Sequence, residues 1–397
     1  MVVLYYTKVS FTDLALEIVN ALKKEVQLHL VIELSPESKS GTIVSTLDLD
    51  DKPVLCKPEE ILTKECFSQL KKYFDGCASV MFYVQKNKKT FTPDNYLYGR
   101  KLAKYIDGLK PDLLHFDTVS QRSLGLIPYI YFNYRKKLVI AVHDPVPHSK
   151  EGSWKLKITD KLFHPIAGAF LLYSEYSKKI FKSVVNNDRK VPVEVLRMKP
   201  YMSYRDHLKA DYSETGNYIL FFGRISFYKG IDTLFKSIPK VLKYYPDLQF
   251  KIAGSNYPGY SVDQNLLEPI KENVIFENRY IPHEELVNMI QKSSFVVCPY
   301  KEATQSGVLM TAFACSRTVI ASNVGAFSEY ITDGVNGKLC EEGDAEALAD
   351  AMLFLLKDNT YKTFNNTVNS ETIRNDWSGN VSILLKTYHA ILKGDEK

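Results

Sequence analysis

Residues 217–230, NYILFFGRISFYKG, constrain the fold more than any other part of this 397-residue chain. An apolar stretch stops at Gly223-Arg224, and Lys229-Gly230 follows. Then Ile231, Leu234, Phe235, Ile238, Val241, Leu242 and Tyr245 recur at helical spacing. The pattern predicts strand, turn, helix. Its two cations flank the turn beside a helix N-terminus, where unpaired backbone N–H groups and the positive dipole end already favour an anion. Arg224 brings a planar fork for phosphate oxygens and Lys229 a mobile point charge. A diphosphate suits such a turn; two ordinary solvated cations are the plain alternative.

The pattern repeats downstream. Strands are expected at 248–253, ending in Gly254-Ser255, at 274–276, at 294–300, at 318–325 and at 338–340. Helices are expected to open near 280–286, after the 301–308 loop and at Asp344. Strands alternating with helices imply a parallel sheet with buried crossovers, whose ligands bind beyond the carboxyl ends of the strands. Arg224, Lys229, Ser255, Tyr280 and the 302–308 loop all fall on that rim. The first half predicts a less regular α/β domain. Its strands are placed at 1–6, 25–34, 111–116, 137–142, 169–173 and 193–196. Its helices are placed at 11–24 and 98–109, with another starting at 174; residues 35–65 read as irregular and 197–215 as a linker.

The ordered set GR…KG, IAG, YIPHEEL, VCPY…SGV…A and VIASNVGAFSEYITDGVNG resembles the donor-sugar domain of family-4 retaining glycosyltransferases of the GT-B architecture. The resemblance is close over about 217–355 and loose over the N-terminal half. It implies an α/β fold of two Rossmann-like domains with parallel sheets facing a cleft. Residues 1–200 would form the acceptor-side domain and 201–375 the donor domain. Residues 376–397 would form a helix crossing back to the first domain, a role that Trp377 and Tyr388 suit. It further implies a hexosyltransferase using a nucleotide-diphospho-sugar, UDP before GDP, with no tightly bound cofactor. The acceptor would be a glycan, a lipid-linked molecule or another hydroxyl compound in polysaccharide or glycoconjugate synthesis.

Two alternatives stand beside this reading: a transferase-like binding protein without turnover, and a GT-B-shaped nucleotide-sugar epimerase.

His143-Asp144 sits at the carboxyl end of the 137–142 strand. By resemblance His143 lies beside the donor sugar, its carbonyl near the anomeric centre, and Asp144 bonds the acceptor or orients His143; a strand-capping pair is the plain alternative. A second histidine, His148, gives a spacing with His143 that fits no zinc pattern well. Asp48-Leu49-Asp50 is a D-x-D, but in a polar stretch without a preceding strand, and reads as a solvated acidic turn. Metal-independent chemistry is therefore expected. The family usually carries two glutamates with seven residues between them. Counting from Glu302 puts Met310 at the second position; counting back from 312–315 puts Ala303 and Thr311 there. Either way a carboxylate is missing. Expected catalytic residues are His143, Asp144, Arg224, Lys229 and Glu302. Expected donor contacts are Gly223, Arg224, Lys229, Gly254, Ser255, Tyr280, Ile281, Ser306, Gly307, Val308 and Thr311, with the base against backbone near 279–281.

Length and composition fit a globular protein of two domains, with 45% apolar and 24% charged residues. No apolar run approaches the ~20 residues that span a bilayer. The start of the chain lacks a signal-peptide pattern, and the six cysteines form no CxxC pair, so reduced thiols in a cytoplasmic protein are expected. The net charge of +5 is mild. Basic clusters at 85–89, 135–137 and 150–161, the last with Trp154, suit a peripheral contact with the inner face of an anionic membrane. No nucleic-acid-binding module is evident.

Overall fold

The computed structural model describes residues 1–36, 43–147, 149, 154–185, 191–208, 218–374 and 376–394. The first sheet has eight strands: β1 (Val2–Lys8), β2 (Gln27–Leu34), β3 (Leu55–Cys56), β4 (Ser79–Val84), β5 (Leu113–Phe116), β6 (Leu138–Ala141), β7 (Ala167–Leu172) and β8 (Val193–Val195), in the order β3-β4-β2-β1-β5-β6-β7-β8. All pairs are parallel except β3 with β4. The second sheet has six: β9 (Tyr218–Phe222), β10 (Gln249–Ala253), β11 (Val274–Glu277), β12 (Ser293–Cys298), β13 (Val319–Ser322) and β14 (Gly337–Cys340), ordered β11-β10-β9-β12-β13-β14 and parallel throughout. Central strands such as β7 and β12 are buried along their whole length, as helices on both faces of a parallel sheet require.

This topology fixes where a ligand can enter. In the first sheet the strand order reverses between β1 and β5; in the second, between β9 and β12. A crevice opens at each switch point, outside the carboxyl ends of the strands. The chain leaves β1 into Ser10, Phe11 and Asp13, and leaves β5 into Asp117. It leaves β9 into Gly223 and Arg224.

The final helix, Ser378–Lys393, lies against the first sheet. The buried Tyr388 hydroxyl meets His115 Nδ1 on β5, and Asn380 donates to the Arg197 carbonyl at 2.8 Å. Between the sheets, Met202–His207 forms a short 3-10 segment whose Tyr204 is buried. The rest of the expected linker, 209–215, lies outside the described residues.

Four elements depart from the sequence reading. Strand β4 and the helix Lys64–Phe74 were not expected, although Phe82 and Val84 are buried on β4 and Thr63 caps the helix through Cys66 N. The helix read at 98–109 starts at Pro93, because Thr92 supplies the cap and proline suits the first turn. Residues 154–163, read as a basic surface segment, form a helix.

Candidate active site

The β9 turn is shaped by glycines. Gly254 has φ +150° and approaches so closely that a Cβ there would sit 1.9 Å from the Gly223 carbonyl oxygen. Gly230, at φ +67°, would place a Cβ 1.8 Å from the Pro299 oxygen. Only glycine lets β9, β10 and the loop after β12 crowd together here. Between them, residues 224–229 carry the two cations. Lys229 is 8% exposed, and its Nζ lies 3.8 Å from the Tyr300 ring centroid. Arg224 is exposed, its guanidinium 5.3 Å from the Tyr257 ring centroid. The Ser226 hydroxyl is buried and meets no hydrogen-bond partner among the described residues.

Ser306 caps the helix Gly307–Ala314, its hydroxyl accepting from Leu309 N at 3.2 Å. Gly307 and Val308 therefore stand in the first turn, where N–H groups lack intrahelical partners. Ser255 is exposed at the end of β10 and its carbonyl accepts from Ile225 N at 2.9 Å. Tyr280 is 41% exposed and Ile281 buried, just before the helix His283–Lys292. Arg279 beside them is committed to Glu277 and Glu285.

His143 forms the opposite wall. Its Nε2 lies 2.9 Å from the Asp117 carbonyl oxygen and 3.4 Å from the Asp117 carboxylate. Phe11 stacks on the ring at 4.0 Å. Asp117 is wholly buried and accepts from the hydroxyls of Thr7 at 2.8 Å and Tyr173 at 2.7 Å. Burial alone would raise its carboxyl. The facing His143 charge and the hydrogen bonds from His143, Tyr173 and Thr7 outweigh that and hold it below the ordinary range. Gln305, from the other domain, brings its amide nitrogen 3.2 Å from His143 Nδ1.

Asp144 is exposed and takes the Thr304 hydroxyl from across the cleft. Glu302 also points across, its carboxylate accepting from the Ser149 amide at 3.1 Å and from the Ser149 hydroxyl. The Thr304 carbonyl receives the hydroxyls of Ser174 (2.9 Å) and Ser177 (3.0 Å). Glu329 caps the helix Glu175–Val184 from the second domain, taking Glu175 N at 2.9 Å and Tyr176 N at 2.8 Å. These contacts seam the two domains together.

A cavity of about 300 Å³ lies where the two switch points meet. It gathers Phe11, Asp13 and His143 from one domain with Gly223, Gln305 and Thr311 from the other. A larger space, about 500 Å³, lies elsewhere, between Thr12–Leu22 and the final helix, and touches neither switch point. The 300 Å³ cavity brings together His143, Gly223, Gly307, Val308 and Thr311 of the expected residues. Asp144 and Glu302 line the domain seam instead. Met310 is buried in the core and Ala303 is 5% exposed. Asp13, Asp117 and Gln305 were not singled out from the sequence. Asp48 and Asp50 form an exposed turn in which the Asp48 carboxylate accepts from Asp50 N at 3.2 Å. His148 lies outside the described residues. Among the described residues no cluster of three potential metal ligands occurs.

Residues 216–358 match the family described as "Glycosyl transferases group 1". That match lies within the second half of the chain. Of the curated relatives, "Phosphatidyl-myo-inositol mannosyltransferase" of Mycobacterium leprae is 27% identical over 194 residues, 47% of this chain and 50% of that one. The chain spans half or less of the length of the first two relatives it matches, 50% and 39%. Among solved structures, sucrose-phosphate synthase from Thermosynechococcus elongatus superposes over 99% of this chain and 100% of its own, with TM-score 0.66 and 15% identity. HepE of Anabaena, in complex with UDP, covers 98% and 100%, with TM-score 0.64 and 14% identity. Both superpositions run almost the whole length of the chain, and its two parallel-dominated sheets have the GT-B fold. The six cysteines are free thiols, and no described helix is long and apolar enough to cross a membrane.

Proposed function

We propose that the chain is a family-4 retaining glycosyltransferase that moves a hexose from a nucleotide-diphospho-sugar to a hydroxyl acceptor. The observation that carries this is the meeting of two switch points on one cavity, lined by Gly223, where the glycine-shaped cationic turn begins, and by His143, which Asp117 holds from behind. The group 1 match supports a transferase, and the complex of HepE with UDP favours a UDP-sugar over a GDP-sugar. The name of the mycobacterial relative favours a lipid-linked or glycan acceptor. In this reading residues 1–200 take the acceptor, 201–375 hold the donor, and 376–397 tie the second domain back to the first.

The chemistry is front-face substitution. The acceptor oxygen bonds to the anomeric carbon on the face from which the diphosphate departs. The glycosidic bond to phosphate breaks, its electron pair goes to the diphosphate, and the acceptor proton passes to a phosphate oxygen. Arg224, Lys229 and the amides of Gly307 and Val308 stabilise the growing negative charge, a preorganised electrostatic task. Gly254, Ser255, Tyr280 and Ile281 bound the nucleotide. Asp117 fixes the His143 ring so that the His143 backbone faces the reacting carbon. The domain seam excludes water and limits hydrolysis. A divalent ion has no task in this scheme, so activity should survive EDTA; loss restored by Mg²⁺ or Mn²⁺ would return the Asp48/Asp50 turn to consideration.

The helix Trp154–Phe163 exposes Trp154, Ile158 and Leu162 on one stripe beside Lys155, Lys157 and Lys161. This suits contact with an anionic inner membrane face, where a lipid-linked acceptor resides. Absence of vesicle binding at low salt would count against it.

The engagement of Glu302 by Ser149 favours, as a second reading, a binding protein without turnover. A thermal-shift screen of UDP, GDP and their sugars tests the site: a ligand at 100 times its Kd stabilises by about 2.7 kcal/mol. No shift with any nucleoside diphosphate contradicts both readings. A shift without nucleotide release from any sugar-nucleotide supports the second, and an isomerised donor would indicate an epimerase.

A further inference from the structure

The cavity holds a carboxylate that the catalytic scheme does not use. Asp13 stands in the first turn of the helix Thr12–Leu22, just past the end of β1, and lines the cavity from the first domain. One of its oxygens accepts from the Tyr204 hydroxyl at 2.8 Å. The other, Oδ1, is buried, and the Ile43 backbone also bonds the carboxyl. Tyr204 also touches Thr311 on the far wall and packs on His283, with tilted rings whose centroids are 4.1 Å apart. It therefore holds Asp13 against the donor domain. The surroundings are selective. Phe222, Leu286 and Val308 offer apolar surface, and no lysine or arginine is among the lining residues described. An acceptor oxygen in such a place suits a hydroxyl donor, and would repel a phosphate.

Along the cleft, Asp13, Tyr204, Thr311 and Leu286 share the cavity with Gly223, at the start of the cationic turn. Leu286 belongs to the helix that follows Ile281. We propose that Asp13 binds the ribose hydroxyls of the donor nucleotide, a carboxylate supplied by the first domain to a nucleotide held by the second. This rests on the nucleotide-sugar reading. Burial pushes the Asp13 carboxyl up to about 6, against the pull of the Tyr204 hydroxyl and the Ile43 backbone, so it is mostly ionised above neutrality. Nucleotide binding and domain closure are then coupled, because the ribose contact exists only when the two walls meet.

Calorimetric titration of the full chain with UDP and 2′-deoxy-UDP, and with GDP and 2′-deoxy-GDP, tests this. A site built to hydrogen-bond a hydroxyl rejects the analogue lacking it. The ribonucleotide should bind about tenfold or more tightly than its deoxy partner, the scale of one hydrogen bond to a charged group. In Asp13→Asn the ratio should fall to about threefold or less, with the melting profile confirming a folded protein. Equal binding of the ribo and deoxy forms by the unaltered chain would overturn the inference without any variant. So would a ratio unchanged in Asp13→Asn. Failure of both UDP and GDP to bind at all would instead bring down the nucleotide-sugar reading and this inference with it.

Discussion

Replacing Lys229 by methionine separates the task of this side chain in the empty protein from its task toward a diphosphate. In the empty protein Lys229 is 8% exposed, with its ammonium over Tyr300 at 3.8 Å and Tyr228 at 5.0 Å. A desolvated cation–π contact contributes roughly 0.5–2 kcal/mol. Burying the ammonium costs free energy of the same order once it is relaxed and partly screened. Methionine keeps an unbranched chain against both rings and removes both terms. The stability of the empty protein should therefore change by less than about 1 kcal/mol, a few degrees in melting temperature. The diphosphate complex is different. One hydrogen bond to a charged group contributes roughly 1.5–3 kcal/mol, so Lys229→Met should weaken UDP or GDP binding by about 10- to 150-fold. The matching nucleoside has no phosphate and should bind the variant as it binds the unaltered chain. Calorimetry on nucleoside, monophosphate and diphosphate gives all three numbers. Equal losses for nucleoside and diphosphate would show that Lys229 shapes the loop instead of meeting phosphate. No loss for either would remove the diphosphate from this turn.

Glu302 reaches Ser149 across the seam, so Ser149→Ala should reproduce most of the loss of transfer caused by Glu302→Gln while leaving nucleoside diphosphate binding unchanged. A silent Ser149→Ala beside an impaired Glu302→Gln would assign Glu302 to the sugar itself. Glu329→Ala removes two hydrogen bonds and a favourable charge from the N-terminus of Glu175–Val184 and should cost about 1–2 kcal/mol, read by calorimetry; scattering should show a more open pair of domains, and an unchanged profile would refute the seam. The pH dependence of stability has two opposed sources. Burial lowers His115 and His164 to about 4 and His283 to about 3, so their contribution is complete above about 6.5 and lost as pH falls toward those values. Burial raises Asp13 to about 6 and Glu17 to about 7, so theirs is present below about 4 and lost as pH rises through 6 to 7. His283→Gln should therefore flatten the fall in melting temperature between pH 6.5 and 4.5, where each such histidine contributes roughly 1.4 kcal/mol per pH unit; an unaltered slope would show that His283 is charged in the fold.

The parallel sheets were legible because their strands are continuous apolar runs punctuated by glycine turns, as at 217–223 and 318–325. β4 was missed although Phe82 and Val84 are core residues, because its polar flanks gave no glycine or proline stop on the carboxyl side. The cationic turn was visible as local chemistry: two charges, two glycines and a helix start within a few residues. Asp117 was not, since its partner His143 lies 26 residues away and becomes a neighbour only when β5 and β6 pair. Asp13 reads as an ordinary first-turn acid, and only the cleft distinguishes it. Gln305 is one amide in a polar loop until the other domain places His143 against it. Glu302 is legible by its place in the expected glutamate pair, but sequence alone gives no direction, and its side chain turns to Ser149.

The central claim is sugar transfer from a nucleotide-diphospho-sugar with retained anomeric configuration. It is tested most directly by proton NMR of the purified chain with a panel of α-linked UDP- and GDP-sugars and hydroxyl acceptors, following the anomeric signal of the product. The account predicts release of a nucleoside diphosphate from one donor class and an α-linked product. A β-linked product, or no nucleoside diphosphate from any donor in the panel, would contradict it.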